Sequence, residues 1–442
     1  MEAEADESEA TSAHATGREV ALRRYIGLHK AFIESGASGV PAGMVRVPGR
    51  GLLPRRFIQV TPCCQLCNRV RVLVSALALG VLTDRAVLIE FDKGYYGALS
   101  DLFASPLALQ APVHKDVRVG RSRTVSWLHA MKELMCDAPL EWDEGLVTLQ
   151  GSPSFLHSLL LTPSLTAKFE AAFGTADGLY ADIVRTLLVP QPSLLREAAQ
   201  FYRKLTGPVT PGSAPPFVVG LHVRNGRDFR SKKLSSVEWG RVAGCAKALV
   251  PRGRQALYLV ATESEESRSL AAEALPGALF YEQSLPKGKK ANGTVSREGA
   301  RRSLLELLLI SQADANVLTP MSSFSEMAAA LARRPGLYFH FDLARKFHYE
   351  SATEALPGCF VPFTAEMPGS MNLKSIVRRL PCGTAVRAAG STSDDASSRQ
   401  PEEGADGALA AERRLWTHPT GLRFLDGEAK LPEALAKSVT EY

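Results

Sequence analysis

The stretch PFVVGLHVRNGRDF, residues 216–229, decides the fold of this chain. Residues 217–223 form an apolar run without a charged side chain, which is typical of a strand buried on both faces of a sheet. The run ends abruptly at Arg224, and further charged residues follow it. Because ligands of parallel α/β sheets bind beyond the carboxyl ends of the strands, Arg224 is a candidate ligand-binding residue.

Strand-like and helix-like segments alternate on the C-terminal side of this stretch. The predicted strands are FVVGLHVR, ALYLVAT, ALFYE, ANVLT and LYFHF, beginning at residues 217, 256, 278, 315 and 337. Four amphipathic segments separate them, so the pattern predicts a parallel, doubly wound sheet with right-handed crossovers. In the first half, RFIQV, a helix over 65–83 and RAVLIEFD predict one further βαβ unit, whereas 100–205 reads mostly as helices and loops.

The length of 442 residues favours two domains over a single core. A Pro- and Gly-rich break, TGPVTPGSAPP at 206–216, is the predicted boundary between them. We therefore expect an N-terminal domain over 19–206 and a C-terminal domain over 207–365. Residues 1–18 are expected to be a disordered acidic tail, and 366–442 a partly disordered extension.

Charge and apolarity restrict the partners of this chain. The formal net charge of +6 is mild and no long Lys/Arg run is present, which argues against nucleic acid and favours an anionic small substrate.

The most apolar stretch, 70–85, is short and interrupted by Arg71, so it predicts a buried helix rather than a transmembrane segment. The acidic N-terminus lacks the features of a signal peptide, so the chain as written predicts a cytoplasmic protein.

The cysteines do not predict a metal site. Cys63, Cys64 and Cys67 cluster in CCQLC, but no second Cys/His pair lies nearby at metal-ligand spacing. A disulfide between Cys359 and Cys382 is an alternative if the compartment is oxidising.

Side chains at three strand ends are expected to meet at one edge of the C-terminal sheet. Arg224 can hold a diphosphate in bidentate fashion, with His222 on the same face, or it can instead pair with Asp228. At the end of ALYLVAT, Thr262 precedes Glu263, whose carboxylate can accept the N–H donors of a guanine or simply add negative charge to the next helix.

The third strand end is followed by a serine-rich helix start, SSFSE at 322–326. Ser323 and Glu326 have the spacing of a capping box. Ser322 and Ser323 also place hydroxyl groups and backbone N–H groups at the positive end of a helix, which is a phosphate-binding arrangement. Both interpretations stay open at this point.

Together these segments resemble the fucosyltransferases of GT-B fold, especially the plant xyloglucan fucosyltransferases of the cell wall, and more distantly the core and protein O-fucosyltransferases. Matches extend in the expected order over roughly residues 20–365. They are LHVRNGRD (221–228), YLVATES (258–264), DANVLTPMSSFSEMAAAL (314–331), the segment 65–92 and DLFASP (101–106). The resemblance implies two Rossmann-like domains whose parallel sheets face a central cleft.

The resemblance also implies an activity: inverting, metal-independent transfer of fucose from GDP-fucose to a hydroxyl of a glycan acceptor, without a cofactor. The implied donor-binding residues are His222, Arg224, Glu263, Ser322, Ser323 and Phe324. Arg224 and Asp228 are the implied catalytic residues, with Glu238 as a second candidate for the base.

The residues that the resemblance implies on the fucose or acceptor side are Asn68 and Arg69. There the family pattern GLGNR appears as QLCNR, because Leu66 and Cys67 replace two small residues and remove the freedom of glycine to approach a ligand. This departure keeps a second hypothesis open, a non-catalytic module that binds a nucleotide sugar or a glycan. Transfer of a different sugar is a third. The resemblance implies the Golgi lumen, in contrast to the cytoplasm implied by the chain as written.

Overall fold

The computed structural model describes much of the chain between residues 17 and 338 and one short strand beyond it. The described residues are 17–34, 40–62, 64–91, 98–110, 119–124, 145–151, 154–156, 159, 162–174, 178–207, 214–224, 234–262, 264–281, 297–319, 322–332, 336–338 and 361–363. Asp228 and Glu263 lie outside these ranges, as do Cys359, Cys382 and the predicted C-terminal extension.

The first half of the chain forms a four-stranded parallel sheet. Its elements are α1 (Gly17–Glu34), β1 (Met44–Val47), β2 (Gly51–Pro54), β3 (Phe57–Pro62), α2 (Leu66–Thr83), β4 (Ala86–Ile89), β5 (Phe103–Ala104), β6 (Val119–Thr124), β7 (Leu146–Gly151), α3 (Pro163–Phe173), α4 (Leu179–Leu187), β8 (Val189–Pro190) and α5 (Pro192–Thr206). The strand order in the sheet is β4-β3-β7-β6, and two short antiparallel pairs, β1–β2 and β5–β8, lie outside it.

The predicted βαβ unit is confirmed as β3, α2 and β4, whereas β6 and β7 were not predicted. The segment LVTLQG of β7 is short, and its burial is only partly alternating, so its periodicity gives little signal. It becomes a strand because it inserts in parallel between β3 and β6, where its backbone groups find partners on both sides.

Helix α2 is the core helix of the first half. By length and composition it could cross a membrane, but 78% of it is buried inside the protein, as predicted for residues 70–85. It ends at Asp84, which adopts a left-handed conformation with φ 53° and ion-pairs with Arg50.

The second half forms a six-stranded sheet. Its elements are β9 (Phe217–Val223), α6 (Ser236–Ala248), β10 (Ala256–Thr262), α7 (Glu265–Ala274), β11 (Ala278–Leu279), α8 (Arg297–Gln312), β12 (Ala315–Leu318), α9 (Ser323–Ala332), β13 (Gly336–Tyr338) and β14 (Val361–Phe363). The five predicted strands and four predicted helices are confirmed, and the first five strands pair in parallel. The additional strand β14 joins β13 in antiparallel orientation.

The strand order places a topological switch point between β9 and β12. The order is β11-β10-β9-β12-β13-β14, so the chain first runs from β9 to one side and then crosses back to the other. In open α/β sheets the crevice for a ligand forms at the carboxyl ends of the two strands at the switch point. The first sheet has its own switch point between β3 and β7, and α2 begins directly after β3.

One continuous hydrophobic core joins the two halves. It contains buried side chains of α1 and α2 from the first half and of α8 and α9 from the second. A smaller cluster around Trp239 covers the other face of the second sheet. Because α2 and α9 pack against each other, the two switch points lie on a shared, well-packed seam.

Candidate functional site

His222, near the end of β9, is a buried and uncharged side chain that connects this strand to the first turn of α9. Its ring stacks on Phe324 with centroids 4.3 Å apart and planes inclined by 26°, and its Nδ1 lies 2.7 Å from Ser325 Oγ. Burial, and then the positive charge of Arg224, lower its pKa from 6.5 to about 3. His222 is therefore neutral at physiological pH, suited to hydrogen bonding and too weak a base to take up a proton.

Arg224 is the first residue beyond β9 and is tied to the end of β12 through its backbone. Its N–H donates to Thr319 Oγ1 at 2.9 Å, and the Thr319 hydroxyl donates to the His222 carbonyl at 2.8 Å. Its charge also acts to lower the pKa of Cys67 at the start of α2, in the first half of the protein. Arg224 thus stands at the predicted crevice, between the two sheets.

Helix α9 begins at the same place, but one residue earlier than the predicted capping box requires. The Glu326 N–H donates to the Ser322 carbonyl at 2.9 Å, so Ser322 occupies the N-cap position and Ser323 is already helical. The capping box predicted between Ser323 and Glu326 is therefore wrong, and the Glu326 carboxylate contacts Arg71 instead.

The Ser322 hydroxyl is the most informative group at this helix end. Ser322 is 1% exposed, and its Oγ has no hydrogen-bond partner among the residues that the structure describes. An unsatisfied buried hydroxyl is costly, and here it sits where the N–H groups of the first helical turn also lack intrahelical partners. Such an arrangement is suited to an anion, as predicted for the phosphate of a ligand.

Thr262 is a second buried hydroxyl at the same edge of the sheet. It is the last residue of β10, next to β9, and its Oγ1 also lacks a partner within the described ranges. Glu263, the predicted guanine-binding residue, follows directly but lies outside those ranges. Ser264 accepts a hydrogen bond from the Ser267 N–H and caps α7.

Asn68 and Arg69, predicted on the fucose or acceptor side, lie in the first turn of α2. Arg69 is 6% exposed, its Nε donates to the Cys64 carbonyl at 2.9 Å, and its guanidinium lies over the Phe91 ring. Asn68 is half-buried beside it. These contacts make Arg69 a support for the start of α2.

The structure therefore brings His222, Arg224, Ser322 and Phe324 together at the switch point of the second sheet, while Asp228 and Glu263 stay predictions. Sequence reasoning missed the residues that hold these groups in place, namely Thr319, Ser325, Arg71 and Glu326. For Arg71 a signal was available, since it is the only charged residue within the apolar run 70–83. Thr319 and Ser325 carry no comparable signal, because their roles depend on pairing across the sheet.

Among the described residues, no group of three or more His, Cys, Asp or Glu side chains could hold a metal ion.

Comparison with known proteins bears on the fold. No protein-family model and no curated protein sequence matches the chain. Among solved structures, a variant of FUT1 from Arabidopsis thaliana in complex with GDP is 17% identical, with a TM-score of 0.52, and the match covers 78% of this chain and 82% of that one. The fucosyltransferase NodZ from Bradyrhizobium is 13% identical, with a TM-score of 0.45 and coverage of 66% and 97%.

The likeness to FUT1 covers 78% of this chain, whose two parallel sheets are described above. It confirms the fold that the sequence motifs implied: the chain has the GT-B type fold found in the plant fucosyltransferases.

Proposed function

We propose that this protein is a glycosyltransferase that moves fucose from GDP-fucose to a hydroxyl group of a glycan acceptor. The observation that carries the proposal is the arrangement at the switch point of the second sheet, where Arg224 follows β9 and Ser322, whose hydroxyl has no partner among the described residues, begins α9. The GDP bound to the FUT1 variant of similar fold supports a guanine nucleotide as the ligand.

The groups at this edge suit a diphosphate. Arg224 offers a planar, permanently charged donor set that can bind two phosphate oxygens at once. The N-terminus of α9 adds backbone N–H groups and the positive end of the helix dipole, and Ser322 adds a hydroxyl. These donors supply the charge neutralisation that a divalent cation would otherwise provide, which motivates the proposal that transfer does not require a metal.

His222 serves the same site as a neutral group. With a pKa near 3 it stays uncharged, so it adds no repulsion against Arg224 and holds Phe324 and Ser325 in place. Because it is so weak a base, we do not assign it the proton transfer.

The proposed reaction is inverting. The acceptor oxygen attacks C1 of fucose from the face opposite the diphosphate, and the bond from C1 to the β-phosphate oxygen breaks with its electron pair leaving on GDP. Asp228 is the proposed base for the acceptor proton. Glu238 is the weaker candidate, since its carboxylate accepts hydrogen bonds from the Ser235 N–H at 2.7 Å and hydroxyl at 2.9 Å and so closes the capping box of α6.

Calorimetry with GDP and a transfer assay with GDP-fucose test the proposal. We expect Arg224→Ala to lower the turnover by about 10²–10³-fold, the usual effect of removing a donor that stabilises transition-state charge. Ser322→Ala should weaken GDP binding. Arg254→Ala is the matched control: Arg254 donates to the Pro215 carbonyl at the opposite edge of the same sheet. Wild-type turnover in Arg224→Ala would refute the assignment.

The same assays separate the competing functions. Binding of GDP-fucose without any release of GDP would favour a non-catalytic module that binds a nucleotide sugar. Binding of UDP-sugars but not GDP-sugars would refute the guanine-reading role of Glu263 and the choice of donor. Activity that survives EDTA would support metal independence, and loss of activity that added metal restores would contradict it.

We further propose that the enzyme acts in the Golgi lumen, on a cell-wall glycan such as xyloglucan. This proposal rests on the resemblance of its motifs to the plant enzymes. Imaging of the tagged full-length protein against Golgi and cytosolic markers tests it, and a purely cytosolic signal would contradict it.

A further inference from the structure

An ion pair joins the two halves of the protein directly beside the proposed diphosphate site. Arg71 of α2 and Glu326 of α9 are 255 residues apart in sequence, and their Nη1 and Oε2 atoms lie 2.9 Å apart. Their side chains are only 17% and 8% exposed. Because water screens such a pair weakly, removing one partner strongly perturbs the surroundings of the other charge.

Glu326 lies in the same helical turn that shapes the site. Its N–H closes the first turn of α9 on the Ser322 carbonyl. In that turn Phe324 stacks on His222, and Ser325 hydrogen-bonds to it. The start of α9 is thus held from two sides, by His222 of the second sheet and by Arg71 of the first half.

Two further buried polar side chains lie in the region of the Arg71–Glu326 pair. Cys67 lies one helical turn before Arg71, on the same face of α2, and Tyr180 of α4 lies close to both. Burial raises the pKa of the Cys67 thiol to about 12 and raises that of Tyr180 well above its ordinary value, and the charges of Arg71 and Glu326 act on both groups.

The proposed catalytic residue Arg224 also acts electrostatically on Cys67. The charges of Arg224 and of Arg71 both act to lower the pKa of the buried Cys67 thiol. Because Arg71 contacts Glu326, a shift of α2 relative to α9 would act on the first turn of α9, which begins at Ser322.

We propose that Arg71 is a positioning residue of the transferase: through Glu326 it fixes the N-terminus of α9, and with it the Ser322 hydroxyl, against the diphosphate of the donor. The inference rests on the proposed function, and Arg71 is not assigned any contact with the substrate. It gives a role to a charged side chain at the start of the apolar run of a core helix, where burial of a charge is costly.

The test compares GDP affinity, measured by calorimetry, with the melting temperature of the ligand-free protein. Arg71→Met and Glu326→Gln each break the pair. Since small misplacements in a preorganised site cost up to about a hundredfold, we expect GDP binding to weaken by about tenfold or more in both variants. In the transfer assay, the KM for GDP-fucose should rise with them. The charge-swapped double variant Arg71→Glu, Glu326→Arg should recover at least part of the affinity.

The matched control is Arg301→Met, which breaks a second ion pair between the halves, Arg301 of α8 with Glu197 of α5. A general loosening of the contact between the halves would affect this variant too, whereas the positioning role predicts an unchanged GDP affinity. If Arg71→Met does not fold, Glu326→Gln, which keeps the size of the side chain, gives the decisive value.

The two proposals fail in different ways. Absence of GDP binding in the wild-type protein would refute the proposed function and, with it, the positioning role. Wild-type binding that is unchanged in folded Arg71→Met and Glu326→Gln would overturn the positioning role alone. An equal loss in Arg301→Met would likewise overturn it, because the effect would then not be specific to α9.

Discussion

Acidification should destabilise this protein through His29, a histidine remote from the proposed active site. His29 lies on α1, is 1% exposed, and its Nε2 donates to the Val87 carbonyl of β4 at 2.9 Å. Its Nδ1 is buried and has no partner among the described residues. A proton added there would create a charge out of reach of water, which is unfavourable.

The size of the effect follows from the pKa. Burial lowers the pKa of His29 from 6.5 to about 4. Above pH 6.5 the imidazole is neutral in both the folded and the unfolded protein, so its stabilising contribution is fully present. Below pH 6.5 the imidazole is protonated in the unfolded chain, whereas in the folded protein it stays neutral down to about pH 4. Each pH unit in this window costs about 1.4 kcal/mol of unfolding free energy, so the whole window costs about 3 kcal/mol.

The assay is urea denaturation of the wild-type protein and of His29→Gln at a series of pH values from about 7.5 down to about 4.5. Glutamine keeps an N–H donor for the Val87 carbonyl but does not titrate. All other titrating groups, His222 included, are common to both proteins and cancel in the difference. We expect the variant to gain about 2–3 kcal/mol relative to wild type across the series.

Parallel curves would refute this reasoning, because they would show that His29 takes up its proton equally in the folded and unfolded states. A constant offset in addition to the expected pH-dependent difference is compatible with it, since the substitution also changes packing.

Two further substitutions test buried contacts of the two sheets. Gly220→Ala should cost about 1–3 kcal/mol of unfolding free energy, because the added Cβ would lie 2.5 Å from the side-chain amide group of Asn316 on the neighbouring strand; wild-type stability in chemical denaturation would contradict the close packing. Tyr25→Phe should also cost about 1–3 kcal/mol, since its hydroxyl donates to the Arg85 carbonyl and accepts from the Val87 N–H; an unchanged melting temperature would show that these backbone groups find other partners.

Much of the second sheet could be predicted because the sequence signals for its strands and helices are local. The apolar run before Arg224 and the alternation after it follow from side-chain periodicity, which neighbouring residues alone determine. The same holds for α2, where the short apolar run interrupted by Arg71 predicted a buried helix. Strand β7 could not be predicted, because LVTLQG is a strand only by virtue of its position between β3 and β6.

For the proposed site, too, the sequence determined one part and the tertiary structure another. The chain by itself determined which chemical groups are available: an arginine after a strand, a histidine before it, and serines at a helix start. Only the tertiary structure decided which of them meet, that Ser322 rather than Ser323 takes the N-cap position, and that Glu326 pairs with Arg71 from the other half of the protein. The reason is physical: a hydrogen bond or an ion pair is decided within about 3 Å, and residues 255 positions apart come that close only when both sheets are folded and packed.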